Sequence, residues 1–536
     1  MSGRRRRCMR LANDFTKMIE LLRLPIRLTV LLTSVTVGFA AGREIPPAFG
    51  PHVNLSATDL FGSKSFTRRD KIVGAYFFYW YDSNSGSHIL DGDGSDALTT
   101  HPPTLEDFSY KSIRWHKSQL ADMEAAGIDV ALMVFWGSPA EHATNTTLHW
   151  SFAGLPPLIQ AREELLREGR KPPLIGLFYD TSTLQYNHWN YHADLTTDFG
   201  RRFFYSTVRD FYSCIPPKHW AMIDNKPILL MYAAAFAKKW DQSFIEFTKA
   251  EFAKEFGGRV PWIAPQDSWS VKGDNTCAWG GALAFRNPGI GEIGPGYDHS
   301  AVPGRTPLVR EREGGKFYEE SWLKFLRRPS NFVMIETWNE FHEGTDIAES
   351  KEYGRQYIEL TRKYSDLFKS GWKPPRPRGK FTGSKSVSIK LGEKNVESGL
   401  HQIECEDGVT ESMIELGRAA RKVKPFRNSS RYLYFVVDDS FKWADAMDAT
   451  LEVDYFDATA GKMYTEFDGT DATSAFNGAY SRSENEIPLL GDKSWKTARF
   501  ELRGARFISS QNNGADFRLV GESPGLVIGR VQILRH

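Results

Sequence analysis

Between Glu336 and Asp346 the sequence runs Glu-Thr-Trp-Asn-Glu-Phe-His-Glu-Gly-Thr-Asp, the densest cluster of reactive side chains in the chain. Glu340 and Glu343 stand three positions apart there, with His342 between them. On a turn, two carboxyls so spaced can face one cavity. Crowding raises the pKa of one of them, leaving one acid and one base near neutral pH, and cleavage of a glycosidic bond needs that division of labour. The same spacing also describes the first turn of a helix, where acidic side chains complement the dipole. On spacing alone this second reading leads.

Further candidates stand at the ends of β-rich runs: Tyr79, Trp80 and Tyr81, then Trp136, Asp180, Tyr232, Gln266 and Asp267. Singly, each is as apt to pack in a wall as to touch a ligand. Together they make a rim of rings and planar acceptors suited to sugar faces and hydroxyls. Asp91-Gly92-Asp93-Gly94-Ser95-Asp96 resembles a calcium loop but fails the EF-hand pattern, with Asp96 at the sixth position and Pro102 at the twelfth. Structural calcium is therefore conceivable but not predicted, and a sugar-binding or plain polar loop fits as well. The four cysteines, Cys8, Cys214, Cys277 and Cys405, form no CxxC, and no HExxH occurs. No metal site is predicted and no cofactor is required.

To position such groups the chain needs strands whose ends converge. Short β-rich runs at 72–79, 128–135, 173–179, 227–232, 260–265, 282–285 and 332–337 alternate with helical patterns at 110–126, 157–168, 197–212, 243–256 and 317–327. An eighth strand fits the short run 290–293. About 300 residues of this alternation make one (β/α)₈ barrel, whose catalytic groups project from the C-terminal strand ends. The expected divisions are 43–370 for the barrel, 371–384 for a Pro/Arg-rich linker and 385–536 for an antiparallel β-sandwich. Turn-punctuated strands at 432–437, 449–456, 462–467, 497–502, 516–519 and 526–534 suggest the sandwich. Residues 1–42 read as a signal peptide or N-terminal anchor: basic positions, an apolar stretch from Leu28 to Ala41, then small residues. Trp443, Tyr455, Tyr464 and Trp495 could give the sandwich a sugar-binding surface.

Composition supports an ordinary folded protein, with 41% hydrophobic and 25% charged residues. Lys plus Arg number 68 against 66 for Asp plus Glu, too balanced for the basic footprint that nucleic acid demands. Aromatics make 13% of the chain.

The run Trp338-Asn339-Glu340-Phe341-His342-Glu343-Gly344-Thr345 resembles the NEWHEGT signature of glycoside hydrolase family 99, the endo-α-mannosidases, and of related family-99-like domains. Tyr76-Phe77-Phe78-Tyr79-Trp80-Tyr81, Asp224 to Tyr232, Gly294-Pro295-Gly296-Tyr297-Asp298 and Gly314 to Tyr318 agree in order. Phe341 stands where the signature has Trp, and the Asp91 to Asp96 loop has no counterpart. The resemblance covers roughly Asp70 to Phe368 and leaves out the C-terminal part. It implies that Glu340 is the base acting on the substrate's own 2-hydroxyl and Glu343 the acid/base on the leaving oxygen. A 1,2-anhydro sugar would follow, with 1,2-trans substrates such as α-mannosides and a retained anomeric configuration. It also implies substrate contacts from Tyr297, Asp298, Trp338, Asn339 and His342.

The expectation is thus a secreted or periplasmic retaining glycoside hydrolase whose partner is a polysaccharide or glycan. Neither nucleic acid nor stable membrane insertion after signal cleavage is expected. A non-catalytic carbohydrate-binding protein and an enzyme of polysaccharide assembly are the alternatives.

Overall fold

The computed structural model describes residues 44–60, 62, 64–137, 150–304, 308–404, 406–424, 432–442, 445–471, 474, 478–521 and 525–536. The expectations about 1–42 and Cys8 lie outside these residues, as do Cys405 and Trp443.

Seven short strands alternate with helices along the first two thirds of the chain: β1 (Ile72–Phe77), α1 (Ile113–Ala125), β2 (Val130–Phe135), α2 (Leu155–Arg167), β3 (Leu174–Tyr179), α3 (Asp198–Cys214), β4 (Lys226–Met231), α4 (Ser243–Glu255), β5 (Trp262–Pro265), β6 (Gly291–Ile293), α5 (Lys316–Arg327), β7 (Phe332–Ile335) and α6 (Gln356–Ser370). They pair in parallel in the order β5-β4-β3-β2-β1-β7-β6. The two-residue strand Met222–Ile223 joins β4 antiparallel. β1, β2 and β3 are buried at every position, as parallel strands covered on both faces must be. Their continuous Val, Ile, Leu and aromatic runs follow from that. Helix starts are fixed locally: Ser112 caps α1 by accepting from the Trp115 amide, and Thr197 caps α3 by accepting from Gly200.

One expected strand is absent. Residues 282–285 form a turn in which the Leu283 and Ala284 amides donate to Gly280 O at 2.9 and 3.0 Å, and the strand lies instead at β6. The Gly-Gly-Ala-Leu-Ala run prefers the turn because Gly281 packs against the β6 backbone: a Cβ there would meet Glu292 C at 2.7 Å. Between β5 and β6 runs an irregular segment. Asp274 N donates to Ile263 O (2.6 Å), Cys277 N to Pro265 O (3.1 Å), and Ile290 N to Thr276 O (3.0 Å).

Beyond α6 the described chain is β-rich. Ser386–Lys390, Val396–Ser398, Thr410–Glu415, Arg418–Val423, Met447–Phe456, Trp495–Ala505 and Val527–Arg535 form one sheet; Leu400–Ile403, Tyr432–Val437, Ala460–Phe467, Ser481–Arg482, Ile487–Leu490 and Phe517–Gly521 form a second. Leu451, Phe500 and Ile533 from the first share one buried cluster with Leu433, Phe435 and Phe517 from the second, so the sheets face each other across a common core. The sandwich touches the α/β part at Arg327–Asp439 (3.0 Å) and where Gly514 approaches Ala284.

Candidate active site

Chain leaving β7 does not enter a helix. Residues 336–340 have no regular structure and 341–344 form a turn, with the next helix, α6, starting only at Gln356. The helix-first-turn reading of the acidic cluster is thereby overturned. The turn is bound on every side. Thr337 N donates to Thr345 O (2.9 Å), Thr345 N to Glu340 O (3.2 Å) and Ile347 N to Trp338 O (2.9 Å). Arg312, buried, donates to Gly344 O and to Asp346, and Thr99 reaches Phe341 O and His342 O. Thr337 Oγ1 accepts from the Glu340 amide at 2.8 Å.

Glu340 is 3% exposed. Its Oε1 accepts from the His342 amide (3.0 Å) and meets His342 Nδ1 at 2.7 Å, while its buried Oε2 has no hydrogen-bond partner among the described residues. Burial pushes the Glu340 carboxyl above the usual range, against the pull of His342. For His342 burial works downward, but the Glu340 carboxylate and then Glu343 outweigh it, and the imidazole ends above its ordinary value. Its ring lies against Tyr81, stacked at 5.7 Å.

Glu340, His342 and Glu343 open onto a cavity of about 1070 Å³. Two aromatic walls bound it. In one, Trp80 stacks on His88 at 4.6 Å and stands edge-on to Trp136 at 5.7 Å. In the other, Phe178 stacks on Trp279 at 5.5 Å, with Tyr232 edge-on to Trp279 at 5.2 Å. Asp180 lines the cavity beneath Trp136, whose indole N–H donates to it, and burial raises its pKa. Tyr297 also lines it.

Seven expected contacts are not brought to this cavity. Side chains alternate along extended chain, so Phe78 and Trp80 line the cavity while Tyr79 and Tyr81 are fully buried behind it. Tyr79 Oη donates to Ser151 O (2.7 Å), and Tyr81 Oη donates to Asn339 O (2.9 Å) and accepts from the Phe341 amide (3.0 Å). Trp338 and Asn339 are likewise wholly buried: the indole donates to Gln119 (2.8 Å), and the Asn339 amide pairs with both Phe78 N and Phe78 O. These residues hold the turn instead of meeting a ligand. Asp298 caps its own turn through Ser300 N, and Gln266 accepts from Ser268. Asp267, gripped by Arg286, lies in a smaller cleft of about 360 Å³ with Glu466, Tyr480, Asn512 and Arg518.

Other lining residues were not singled out from sequence. Trp279 sits in irregular chain without strand periodicity, and His88 among scattered histidines. Glu336 belonged to the acidic cluster but had no assigned role. In the Asp91 to Asp96 loop the carboxylates have separate duties: Asp93 accepts from Ser95 N (2.9 Å), Asp96 pairs with His101 (2.9 Å), and Asp91 lines the cavity. Among the described residues no group of three or more His, Cys, Asp or Glu is placed to hold a metal ion, and no helix is long and apolar enough to cross a membrane.

A family model described as "Domain of unknown function (DUF5010)" matches residues 95–374. Over 94 residues the chain is 35% identical to the glycoprotein endo-alpha-1,2-mannosidase of Mus musculus and 34% identical to that of Xenopus laevis. The match takes in 15% of this chain and 20% and 21%, respectively, of those proteins, so the chain spans about a fifth of the length of these curated relatives. Among solved structures, the GH99 endo-alpha-mannosidase from Bacteroides thetaiotaomicron bound to BIS-TRIS-propane covers 56% of this chain and 98% of its own, at 16% identity and TM-score 0.41. The C-terminal CBM6 of LamC from Zobellia galactanivorans covers 28% of this chain and 98% of its own, at 12% identity and TM-score 0.18.

Proposed function

Because the chain belongs to the family described as Domain of unknown function (DUF5010), a description that assigns no chemistry, we propose its activity from its own site: retaining hydrolysis of 1,2-trans glycosidic bonds, α-mannosides among them, in a polysaccharide or glycan. The observation that carries this is the state of Glu340. One oxygen is fixed by His342 and the other is buried without a partner among the described residues, in a cavity shared with Glu343. An acceptor so prepared, paired with a second carboxyl in the same cavity, can take a proton from a seated ligand.

Glu340 Oε2 takes the proton of the sugar's 2-hydroxyl as O2 attacks C1 from the face opposite the leaving group. The C1–O bond breaks, and Glu343 gives its proton to the departing oxygen. Water then opens the 1,2-anhydro ring at C1, losing a proton to Glu343 while Glu340 returns its proton to O2. Two displacements at C1 restore the starting configuration. A raised pKa suits Glu340, since a base works best when its pKa lies near the operating pH. The aromatic walls supply stacking faces for the sugar on either side.

We also read the α/β part as a (β/α)₈ barrel in which the irregular segment 274–277 stands in for one strand, spanning 43–370, with 371–384 linking it to the sandwich. The basic, apolar and small-residue succession in 1–42 supports export to a secreted or periplasmic location.

A hydrolysis screen of the purified chain on α-mannans and other 1,2-trans glycans, with Glu343→Gln as the control, tests this function. Expected is reducing-end release abolished in the control, with an NMR-detected product of retained configuration. An inverted product, or no hydrolysis of any glycan, overturns it.

A further inference from the structure

A further glutamate lines the cavity and takes no part in the steps above. Glu336 follows β7 directly and is 1% exposed. Its Oε2 accepts from two consecutive backbone amides, Gly280 N at 2.7 Å and Gly281 N at 2.9 Å. These come from the chain between β5 and β6, which also carries Trp279 of the second aromatic wall. Among the described residues no donor reaches the other oxygen, Oε1. A carboxylate locked by one oxygen, with the other unused on a cavity wall, is a built acceptor.

Resting on the glycosidase reading above, we infer that Glu336 is a substrate-binding carboxylate: it accepts a hydrogen bond from a hydroxyl of the sugar seated between the two aromatic walls, and so selects among sugars by the position of that hydroxyl. Planar acceptors beside a stacking ring suit a pyranose, whose face covers the ring while its edge hydroxyls point at the acceptor. The neighbours of Glu336 are mostly acidic. Glu343 faces it from the same loop, Glu292 of β6 lies behind it with the Tyr76 hydroxyl of β1 donating to it, and Arg286 is the nearby cation. Burial raises the Glu336 carboxyl to about 7, with Glu343 adding to the rise and the two glycine amides and Arg286 opposing it. Its ionised form is thus present at and above neutral pH, and a sugar hydroxyl supplies a donor that the described residues do not.

Glu336→Gln gives a sharp test. The two glycine amides require an acceptor, so the variant's amide oxygen stays on them and its NH₂ turns to the cavity. The exposed acceptor becomes a donor at nearly unchanged volume. The full chain carrying Glu343→Gln, which removes turnover, is titrated calorimetrically with α-linked mannotriose and its monodeoxy derivatives, with and without Glu336→Gln. Expected is a fall in affinity of about 10- to 100-fold on adding Glu336→Gln, the range for a hydrogen bond to a charged group. The deoxy sugar that binds weakly to the parent should lose no further affinity to the double variant, which is the mark of a direct pair. A merely structural role would weaken all sugars alike. Unchanged affinity for mannotriose, or losses that simply add, overturns the role of Glu336 while leaving the glycosidase reading standing. Absence of any binding by the Glu343→Gln chain overturns both. Should Glu336→Gln fail to fold, Glu336→Asp, which draws the acceptor back by one methylene, must shrink the same deoxy penalty or the assignment falls.

Discussion

At the scale of single residues the site divides into groups that face the cavity and groups that hold them. Glu340→Gln and Glu343→Gln should each cut turnover by about 10²- to 10⁴-fold or more with the fold intact, measured as initial rates beside circular dichroism. An aryl glycoside with a good leaving group should restore much of the Glu343→Gln rate and little of the Glu340→Gln rate; equal rescue would erase the assigned roles. His342 gives a signed pH prediction. Its charge pulls the Glu340 pKa down, so His342→Gln should move the acidic limb of the kcat/KM profile to higher pH. Glu336 gives another. Its folded value of about 7 against an ordinary 4.5 means that the folded chain holds this proton more tightly than the unfolded chain. Stability should therefore fall as pH climbs from about 4.5 to about 7. Glu336→Gln lacks that proton, so its melting temperature should gain on the wild type between those pH values; a pH-independent gap would contradict the raised pKa. Glu340, Glu343 and His342 were singled out in the sequence by the resemblance of the run 338–345, since spacing alone favoured the first turn of a helix. What spacing could not tell was direction. Tyr79 and Tyr81 differ from Trp80 in parity along the extended chain after β1, and which parity faces the cavity depends on where β1 sits in the sheet.

At the scale of elements, two segments do the positioning. Residues 337–347 are tied to Tyr76 of β1, to Tyr81, to Thr99 and to Arg312, which keeps the turn without helical hydrogen bonds. The chain between β5 and β6 provides the amides for Glu336. Gly281→Ala should disturb both it and β6, because the new Cβ would lie 2.7 Å from Glu292 C and Ile293 N. A loss of stability above about 1 kcal/mol in urea unfolding is expected, with weaker sugar binding. The Asp91 to Asp96 loop should behave otherwise. Asp93 and Asp96 are satisfied by Ser95 and His101, so EDTA should leave both kcat and melting temperature unchanged; calcium-reversible loss of either would assign the loop a cation. Regular βα alternation made most strands visible in the sequence, to within a few residues. The exception was 282–285, where apolar residues suggested a strand but the two preceding glycines let the chain fold into a turn against β6. That choice depends on a neighbour brought close only by the tertiary fold, and no local pattern records it.

At the scale of the whole molecule, the sandwich is docked and not merely tethered. Arg327 of α5 pairs with Asp439, and Lys442 behind it is buried on Asp516 and Ser509. Truncation after Pro377 removes the partner of Arg327 and uncovers the side of Ala284. The shortened chain should melt at lower temperature and aggregate more readily than the full one, checked by differential scanning fluorimetry and light scattering. A fully soluble α/β part with unchanged melting temperature but weakened binding to polymer would favour a separable sugar-binding module. The smaller cleft, with Asp267 and Arg286 on one side and Glu466, Tyr480, Asn512 and Arg518 on the other, extends this contact. The connection that supplies Gly280 and Gly281 to the cavity therefore also supplies the surface on which the sandwich rests. For recombination this matters more than the proline-rich stretch that looks like the natural seam. A chimera cut at residues 371–384 would pair a foreign sandwich with a native loop shaped for another neighbour. Shuffling that keeps activity should carry residues 266–290 with the C-terminal part, so the functional joint of this protein and its covalent joint lie about 100 residues apart in the sequence.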